Sequence, residues 1–195
     1  EIDALQNEVN ITYNYEQLMA IKMALIKKLL IITGGPGTGK TTIIKAIVEL
    51  YKKMNKLSPL SLSENLILLA PTGRASKRMM EAVNLPSQTI HRFLKWNKDT
   101  NKFGINEHNK SNAKIVIIDE FSMVDTYLFD SLLKGLKYDT TIILVGDYNQ
   151  LPSVLAGQLL KDIIESNEFT CIKLESLYRQ NENSNIITFA YDINN

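Results

Sequence analysis

Residues 34–41 read Gly-Gly-Pro-Gly-Thr-Gly-Lys-Thr, which fits the spacing G-x-x-x-x-G-K-[ST]. This pattern suits an anion. Glycines let backbone N–H groups wrap an oxyanion without Cβ clashes, and a helix opening at Lys40 adds a favourable dipole. Lys40 is placed to reach the β- and γ-phosphates of a nucleoside triphosphate, and Thr41 to set its hydroxyl on Mg²⁺. The residues expected to hold the nucleotide are therefore Gly35, Pro36, Gly37, Thr38, Gly39, Lys40, Thr41 and Thr42.

A second chemical pattern lies at 115–120, Ile-Val-Ile-Ile-Asp-Glu, an apolar run that ends in two acids. Asp119 is expected to hold the hydrated Mg²⁺ and Glu120 to orient and deprotonate an attacking water. A second acid after the first favours an NTPase that uses water over a kinase. A third pattern follows the apolar run 141–146, where Asp-Tyr-Asn-Gln-Leu-Pro occupies 147–152. Gln150 is the amide there that can touch the γ-phosphate or the water.

These residues need a frame that brings them to one edge. Short runs rich in Ile, Leu and Val at 29–33, 66–70, 115–119, 141–146 and 169–174 read as strands buried on both faces. Helical patterns at 16–27, 41–54, 75–83, 125–136 and 157–165 alternate with them. The fold class expected is α/β, a parallel sheet of about five strands with helices on both faces. Right-handed crossovers then place every strand C-terminus on one edge, where ligands bind.

Composition narrows the classes further. The 195 residues are 45% hydrophobic and 22% charged, ordinary for one globular domain. Lys plus Arg is 22 and Asp plus Glu is 21, so the net charge of +1 excludes a protein basic all over. Residues 70–98 nonetheless carry six basic residues (Arg74, Lys77, Arg78, Arg92, Lys95, Lys98) and one acid, Glu81. A single cysteine, Cys171, excludes a disulfide framework, and its apolar run predicts core packing. No apolar run approaches the roughly 20 residues that span a bilayer, so no membrane role and a cytoplasmic setting are expected. The chain starts Glu1-Ile2-Asp3 without Met, and we expect it to begin inside a longer protein.

Four blocks in order then acquire a common meaning: GGPGTGKT (34–41), APTGRASKRM (70–79), DEFSMVD (119–125) and GDYNQLPSV (146–154). Together they resemble the first RecA-like P-loop NTPase motor domain of superfamily 1 DNA helicases. The wording is most similar to the RecD-like branch, the alpha subunit of exodeoxyribonuclease V and its stand-alone relatives. Ser122 to Asp125 and the block Ser87-Gln88-Thr89-Ile90-His91-Arg92 carry that likeness. One departure is Tyr148, where the third-motif block of such helicases usually has proline.

The resemblance implies several roles that the residues alone do not show. The cofactors are ATP and Mg²⁺. Gln17 matches the glutamine that reads the adenine edge, although on its own it reads as a surface polar residue at a helix start. Arg179 matches the arginine on the γ-phosphate and joins Lys40, Glu120 and Gln150 in the catalytic set, while Tyr178 is placed against the base. Single-stranded DNA is the implied partner, held by Thr72, Gly73, Arg74, Thr89, His91 and Arg92. Phe93 and Trp96 offer either stacking surfaces or helix packing. The polar stretch 97–112 stands where such helicases project a strand-separating pin, with Phe103-Gly104 expected as its turn. Polarity is expected to be 5′-to-3′, with other subunits of a nuclease–helicase complex as further partners. The organisation expected is a helical segment at 1–28 and a motor domain at 29–195, with the second motor domain absent. An isolated nucleotide-binding module and a superfamily 1 RNA helicase are the alternatives.

Overall fold

The computed structural model describes Gln6, residues 11–150 and residues 158–175. The element order is α1 (Tyr15–Ala24), β1 (Leu29–Gly34), α2 (Lys40–Met54), α3 (Pro59–Asn65), β2 (Leu66–Ala70), α4 (Gly73–Val83), β3 (Ser87–Thr89) and α5 (Ile90–Phe93). A small hairpin of β4 (Trp96–Asn97) and β5 (Lys102–Phe103) follows. Then come β6 (Ile115–Ile118), a 3-10 turn (Phe121–Met123), α6 (Thr126–Gly135), β7 (Thr141–Gly146), α7 (Leu159–Glu165) and β8 (Thr170–Leu174).

The main sheet has six strands in the order β3-β2-β6-β7-β1-β8, and every pair in it is parallel. The sixth strand, β3, is the element that the expectation of about five lacks. It is three polar residues, Ser-Gln-Thr, at the edge of the sheet, hydrogen-bonded on one side only to β2. An edge strand need not be apolar on both faces, so it carries no signal in a search for buried runs.

Period-two alternation divides the strand side chains between two apolar layers. Leu30, Ile32, Ile117, Ile143 and Val145 face the layer of α1, α2, α3 and α4, with Ala20, Ile21, Ile43, Ile47, Leu62 and Met79. Ile31, Val116, Ile118, Ile142 and Leu144 face the layer of α5, α6 and α7, with Phe93, Phe121, Leu128, Leu132 and Leu160. Each fully buried Ile or Leu contributes about 1.5–3 kcal/mol. Cys171 packs against the second layer half-buried, and burial pushes its thiol above the ordinary range. Among the described residues no helix is long and apolar enough to cross a membrane.

The stretch 97–112 does form a hairpin at its start, with Trp96 opposite Phe103 and Asn97 opposite Lys102. Its turn is at 98–101 and not at Phe103-Gly104. The Asn97 side-chain oxygen accepts from Asp99 N at 2.9 Å and Thr100 N at 3.1 Å, which closes an Asx turn there, and Asn101 takes φ +50° to complete it. The chain then returns to the body: Ile105 N donates to Leu94 O at 3.0 Å and Ser111 N to Gly135 O at 2.8 Å. Gly135 permits this contact, because a Cβ there would stand 2.8 Å from Ile105 Cγ2 and 3.2 Å from Leu94 Cδ2.

Candidate functional site

Because the six strands are parallel, the loops after β1, β2, β3, β6 and β7 share one edge, and all the expected chemistry in the described residues except Gln17 comes from those loops and the helices they open. The loop between β1 and α2 turns through Gly37 at φ +81° and Gly39 at φ +86°. Thr38 Oγ1 donates to Gly35 O at 2.9 Å and braces the turn. A Cβ on Gly35 or Gly37 would meet nothing within 4 Å, so the cradle is open where an anion would sit. The Lys40 ammonium donates to Gly34 O at 2.6 Å and Gly35 O at 2.9 Å, which leaves its third proton for a ligand. Thr41 is exposed and Thr42 half-buried on the first turn of α2.

Gln17 is not a surface residue: it is 1% exposed. Asn14 caps α1, its side-chain oxygen accepting from Gln17 N at 2.8 Å, while Gln17 Oε1 accepts from Asn14 N at 3.1 Å. This reciprocal capping box holds the Gln17 side chain in place. Its amide Nε2 then donates to Thr38 O at 3.2 Å, tying α1 to the cradle. A Cβ on Gly39 would stand 2.5 Å from that same Nε2 and would push the amide off Thr38, and φ +86° there also favours glycine.

The carboxylates arrive from the next strands. Asp119 follows β6, and its Oδ1 accepts from Glu120 N at 2.9 Å. Burial pushes the Asp119 carboxyl above the ordinary carboxylate range, and the Glu120 charge adds to the push, while the Glu120 N–H and the Lys40 charge oppose it. Burial holds the Lys40 ammonium below the ordinary lysine range, against Asp147, Asp119 and Glu120, which all favour its charged form. Glu120 itself has φ +53°, a left-handed backbone that costs a non-glycine residue about 1–2 kcal/mol. That strain turns the chain from β6 into the 3-10 turn within one residue.

Sequence reasoning does not single out Asp147. It is 3% exposed, directly after β7, and it is the strongest of the three anionic influences on Lys40. The legible signal is the one that marks Asp119: an acid at the end of an apolar strand. Asp147 Oδ1 accepts from Asn149 N at 3.0 Å, and Tyr148 N donates to Thr33 Oγ1 at 3.3 Å, so the loop is anchored with tyrosine at the position where proline is usual. Gln150 closes the turn, its N–H on Asp147 O at 3.2 Å, and lines an open cavity of about 360 Å³ with Ser122, Tyr148, Asn149 and Lys161. Arg179 and Tyr178 lie outside the described residues.

The donor set suits a small hard cation beside a polyphosphate. Asp119 is a half-buried carboxylate, and Thr41 offers an exposed hydroxyl on the loop's helix. Among the described residues no group of three or more His, Cys, Asp or Glu could hold a metal alone. Mg²⁺ does not need one, because it commonly takes one or two protein oxygens and completes its shell with phosphate and water.

The expected DNA residues come together at the ends of β2 and β3, which pair in register at Ala70 and Thr89. Thr72 caps α4 and Thr89 caps α5, their hydroxyl oxygens accepting from Ala75 N and Arg92 N, each at 3.2 Å. Both hydroxyl protons remain available. Gly73, Arg74, His91 and Arg92 are exposed beside them. Phe93 is 6% exposed and packs in the second apolar layer. Lys77 is a solvated helix charge, 4.0 Å from Glu81.

A family model described as an AAA domain matches residues 17–156. The chain belongs to the AAA domain family. Within it the sequence is RecD-like. It is 34% identical to the RecD subunit of the RecBCD enzyme from Buchnera aphidicola over 199 residues, covering 92% of this chain and 32% of that one. It is 34% identical to the ATP-dependent RecD2 DNA helicase of Deinococcus radiodurans over 178 residues, covering 91% and 23%. This AAA domain thus spans about a third or less of these curated relatives. Its fold is that of a Bacteroides Pif1 helicase solved with ADP-AlF4, at a TM-score of 0.62 and 21% identity, covering 95% of this chain and 46% of that one.

Proposed function

We propose that this domain is an ATP-hydrolysing motor of a DNA helicase that serves recombination and repair, and that it translocates 5′-to-3′ on single-stranded DNA. The observation that carries the reading is one shared edge. Lys40 and its three carboxylates stand at the ends of β1, β6 and β7, and the Thr72 and Thr89 caps stand at the ends of β2 and β3 of the same sheet. The 5′-to-3′ polarity rests on the RecD-like resemblance alone.

ATP binds with its phosphates along the cradle, where the loop N–H groups and the desolvated Lys40 charge face them. The low dielectric that weakens the charged form of Lys40 also strengthens its attraction for a polyphosphate. Thr41 and Asp119 would hold Mg²⁺, which would supply positive charge to offset that of the phosphates. Glu120 takes the proton of the attacking water, and Gln150 orients that water or the γ-phosphate. Arg179 is assigned the developing charge on the γ-phosphate. Gln17 keeps one amide proton and one lone pair after its bonds to Thr38 and Asn14. That pair matches the N7 acceptor and N6 donor of adenine. Thr72, Gly73, Arg74, Thr89, His91 and Arg92 grip DNA phosphates without reading sequence. The hairpin 96–103 separates strands, and subunits of a nuclease–helicase complex are the further protein partners.

Lys40→Ala tests the nucleotide half of the reading. ATP affinity measured by calorimetry should fall by about 100-fold or more, since a charge-assisted, desolvated contact is lost. Stimulation of ATP hydrolysis by single-stranded DNA tests the other half. Unchanged ATP affinity in the variant would overturn the site, and single-stranded DNA without effect on hydrolysis or ATP affinity would overturn the motor.

A further inference from the structure

The edge of the sheet opposite the nucleotide site carries a charge that the motor reading leaves unused. Lys28 and Lys114 stand just before β1 and β6, on either side of the start of β7, because Thr141 N donates to Lys114 O and Ile142 N to Lys28 O, each at 2.8 Å. Helices α1 and α2 end at the same edge, and α2 runs about 22 Å from Lys40 at the cradle to Met54 here. Lys27 and Lys28 follow α1, Lys53 and Lys56 lie at and beyond the end of α2, and Lys114 and Lys137 precede β6 and β7. All six are exposed. Within the stretches 25–28, 51–57, 112–115 and 137–141 that build this edge, the one acid is Asp139. A helix dipole accounts for Lys53, in the last turn of α2. It does not account for Lys28 and Lys114, which lead into strands.

Those two lysines converge on Asp139. The Lys28 ammonium donates to Asp139 O at 2.6 Å and the Lys114 ammonium to Asp139 Oδ2 at 3.3 Å. One residue thus steadies two cations, and each ammonium keeps two protons to donate. Between them opens a cavity of about 320 Å³, whose lining includes Ala24, Leu25, Tyr51, Met54 and Ile115. Burial pushes the Tyr51 hydroxyl above the ordinary tyrosine range, against the Lys114 charge, so it stays a protonated donor. Apolar surface continues outside the cavity, with Met54 50% and Ile26 70% exposed.

This combination selects the partner. A small anion would use the cations but not the aliphatic flanks. A nucleic acid strand would use the cations but seeks ring faces for its bases, and the flanks here are Met54 and Ile26. A protein segment with carboxylates about an aliphatic side chain uses both, because complementary charge and a filled apolar pocket are what protein interfaces combine.

We propose that this edge, centred on the cavity between Lys28 and Lys114, is a docking surface for an acidic protein segment that seats an aliphatic side chain in the cavity and its carboxylates on the lysines. The inference goes beyond the motor reading and does not depend on it. None of the residues assigned to nucleotide or DNA lies on this edge, so a docked segment leaves the cradle and the Thr72 and Thr89 caps open.

A library of displayed random peptides selected on the immobilised 195-residue protein tests it. Enriched peptides should be acidic, with leucine, isoleucine or valine between the acids. Lys27→Glu with Lys114→Glu should weaken the tightest peptide by about tenfold or more, as attractive pairs turn repulsive. Met54→Ser should weaken it by about threefold or more through lost apolar contact. Lys77→Glu with Lys161→Glu changes the net charge equally on the far side of the sheet and should leave binding within about twofold. All five positions are exposed, and thermal unfolding would show that each variant folds. No enriched peptide, enriched peptides without acids, or equal loss in the two charge variants would overturn the docking surface. Displacement of the peptide by oligothymidylate through these same lysines would overturn it in favour of a nucleic acid site.

Discussion

Gln17→Ala separates two tasks of one side chain. The substitution removes the Oε1 half of the capping box on Asn14 N and the Nε2 bond to Thr38 O. Loss of that one reciprocal bond, with Asn14 still capping the helix, costs about 1 kcal/mol. Leaving a buried carbonyl without its donor costs about 1–3 kcal/mol more. The sum, about 2–4 kcal/mol, lowers the Tm of a protein this size by roughly 5–15 °C. Gln17→Glu keeps the Oε1 acceptor and the volume but faces a carboxylate oxygen to the Thr38 carbonyl and the phosphate cradle. It should lose nucleotide affinity more than it loses stability. Thermal unfolding by circular dichroism gives the first quantity, and competition of ATP with GTP gives the second. Gln17→Ala should reduce the preference for ATP by about tenfold, the worth of a lost bidentate contact to adenine. A Tm within 2 °C or so of the parent in Gln17→Ala would show that the bridge to Thr38 carries no weight. A large loss of Tm with the ATP preference intact would confine Gln17 to a structural role.

Glu120→Gln should bind ATP as the parent does and hydrolyse it at least about 100-fold more slowly, as loss of a general base implies; brisk phosphate release would exclude Glu120 as the base. Asp119→Asn should stabilise the fold while removing metal-dependent turnover. Burial raises the Asp119 pKa above 3.8, so the native state holds that proton more tightly than the unfolded chain. Stability is therefore lost as pH rises from the ordinary carboxylate value through the raised one, and the neutral amide removes that loss. Urea titrations at pH 4 and pH 7 would check it, and a less stable Asn variant at pH 7 would refute it. Gly135→Ala should cost about 1–3 kcal/mol by overpacking against Ile105. Faster amide exchange at Gly104 and Ile105 should accompany it, and unchanged exchange there would show that the hairpin root does not depend on this contact.

Most of the sheet was legible because its strands are buried on both faces and therefore carry continuous apolar runs, as 66–70 and 141–146 do. The cradle and the Asp119-Glu120 pair were legible because their chemistry dictates residue type and spacing. What escaped were elements held by one-sided or polar contacts. β3 needs only one neighbour. α3 begins with Ser58 as N-cap and a proline in its first turn, but buries only Leu62. Gln17 was hidden because burial of an amide is a property of its partners, and Thr38 lies 21 residues away in the chain. The Asn14-x-x-Gln17 capping spacing was its visible trace. The sequence points to a turn at Gly104 because glycine is a turn former, whereas Asn97 closes the turn at 98–101 with its own side chain.

Helix α1 holds two parts of the site edge at once. Neighbouring residues on its first turn reach two sides of the nucleotide edge: Gln17 touches Thr38, and Glu16 Oε2 accepts from Glu175 N at 2.8 Å just past β8. Ten residues near the start of the described chain thus fasten the cradle to the last described strand. Ala20, Ile21 and Ala24 seat the same helix in the first apolar layer, so the packing of the core and the placing of Thr38 and Glu175 are coupled through one element. A change that loosens the first apolar layer beneath α1 is therefore felt at the phosphate cradle as well as in the fold.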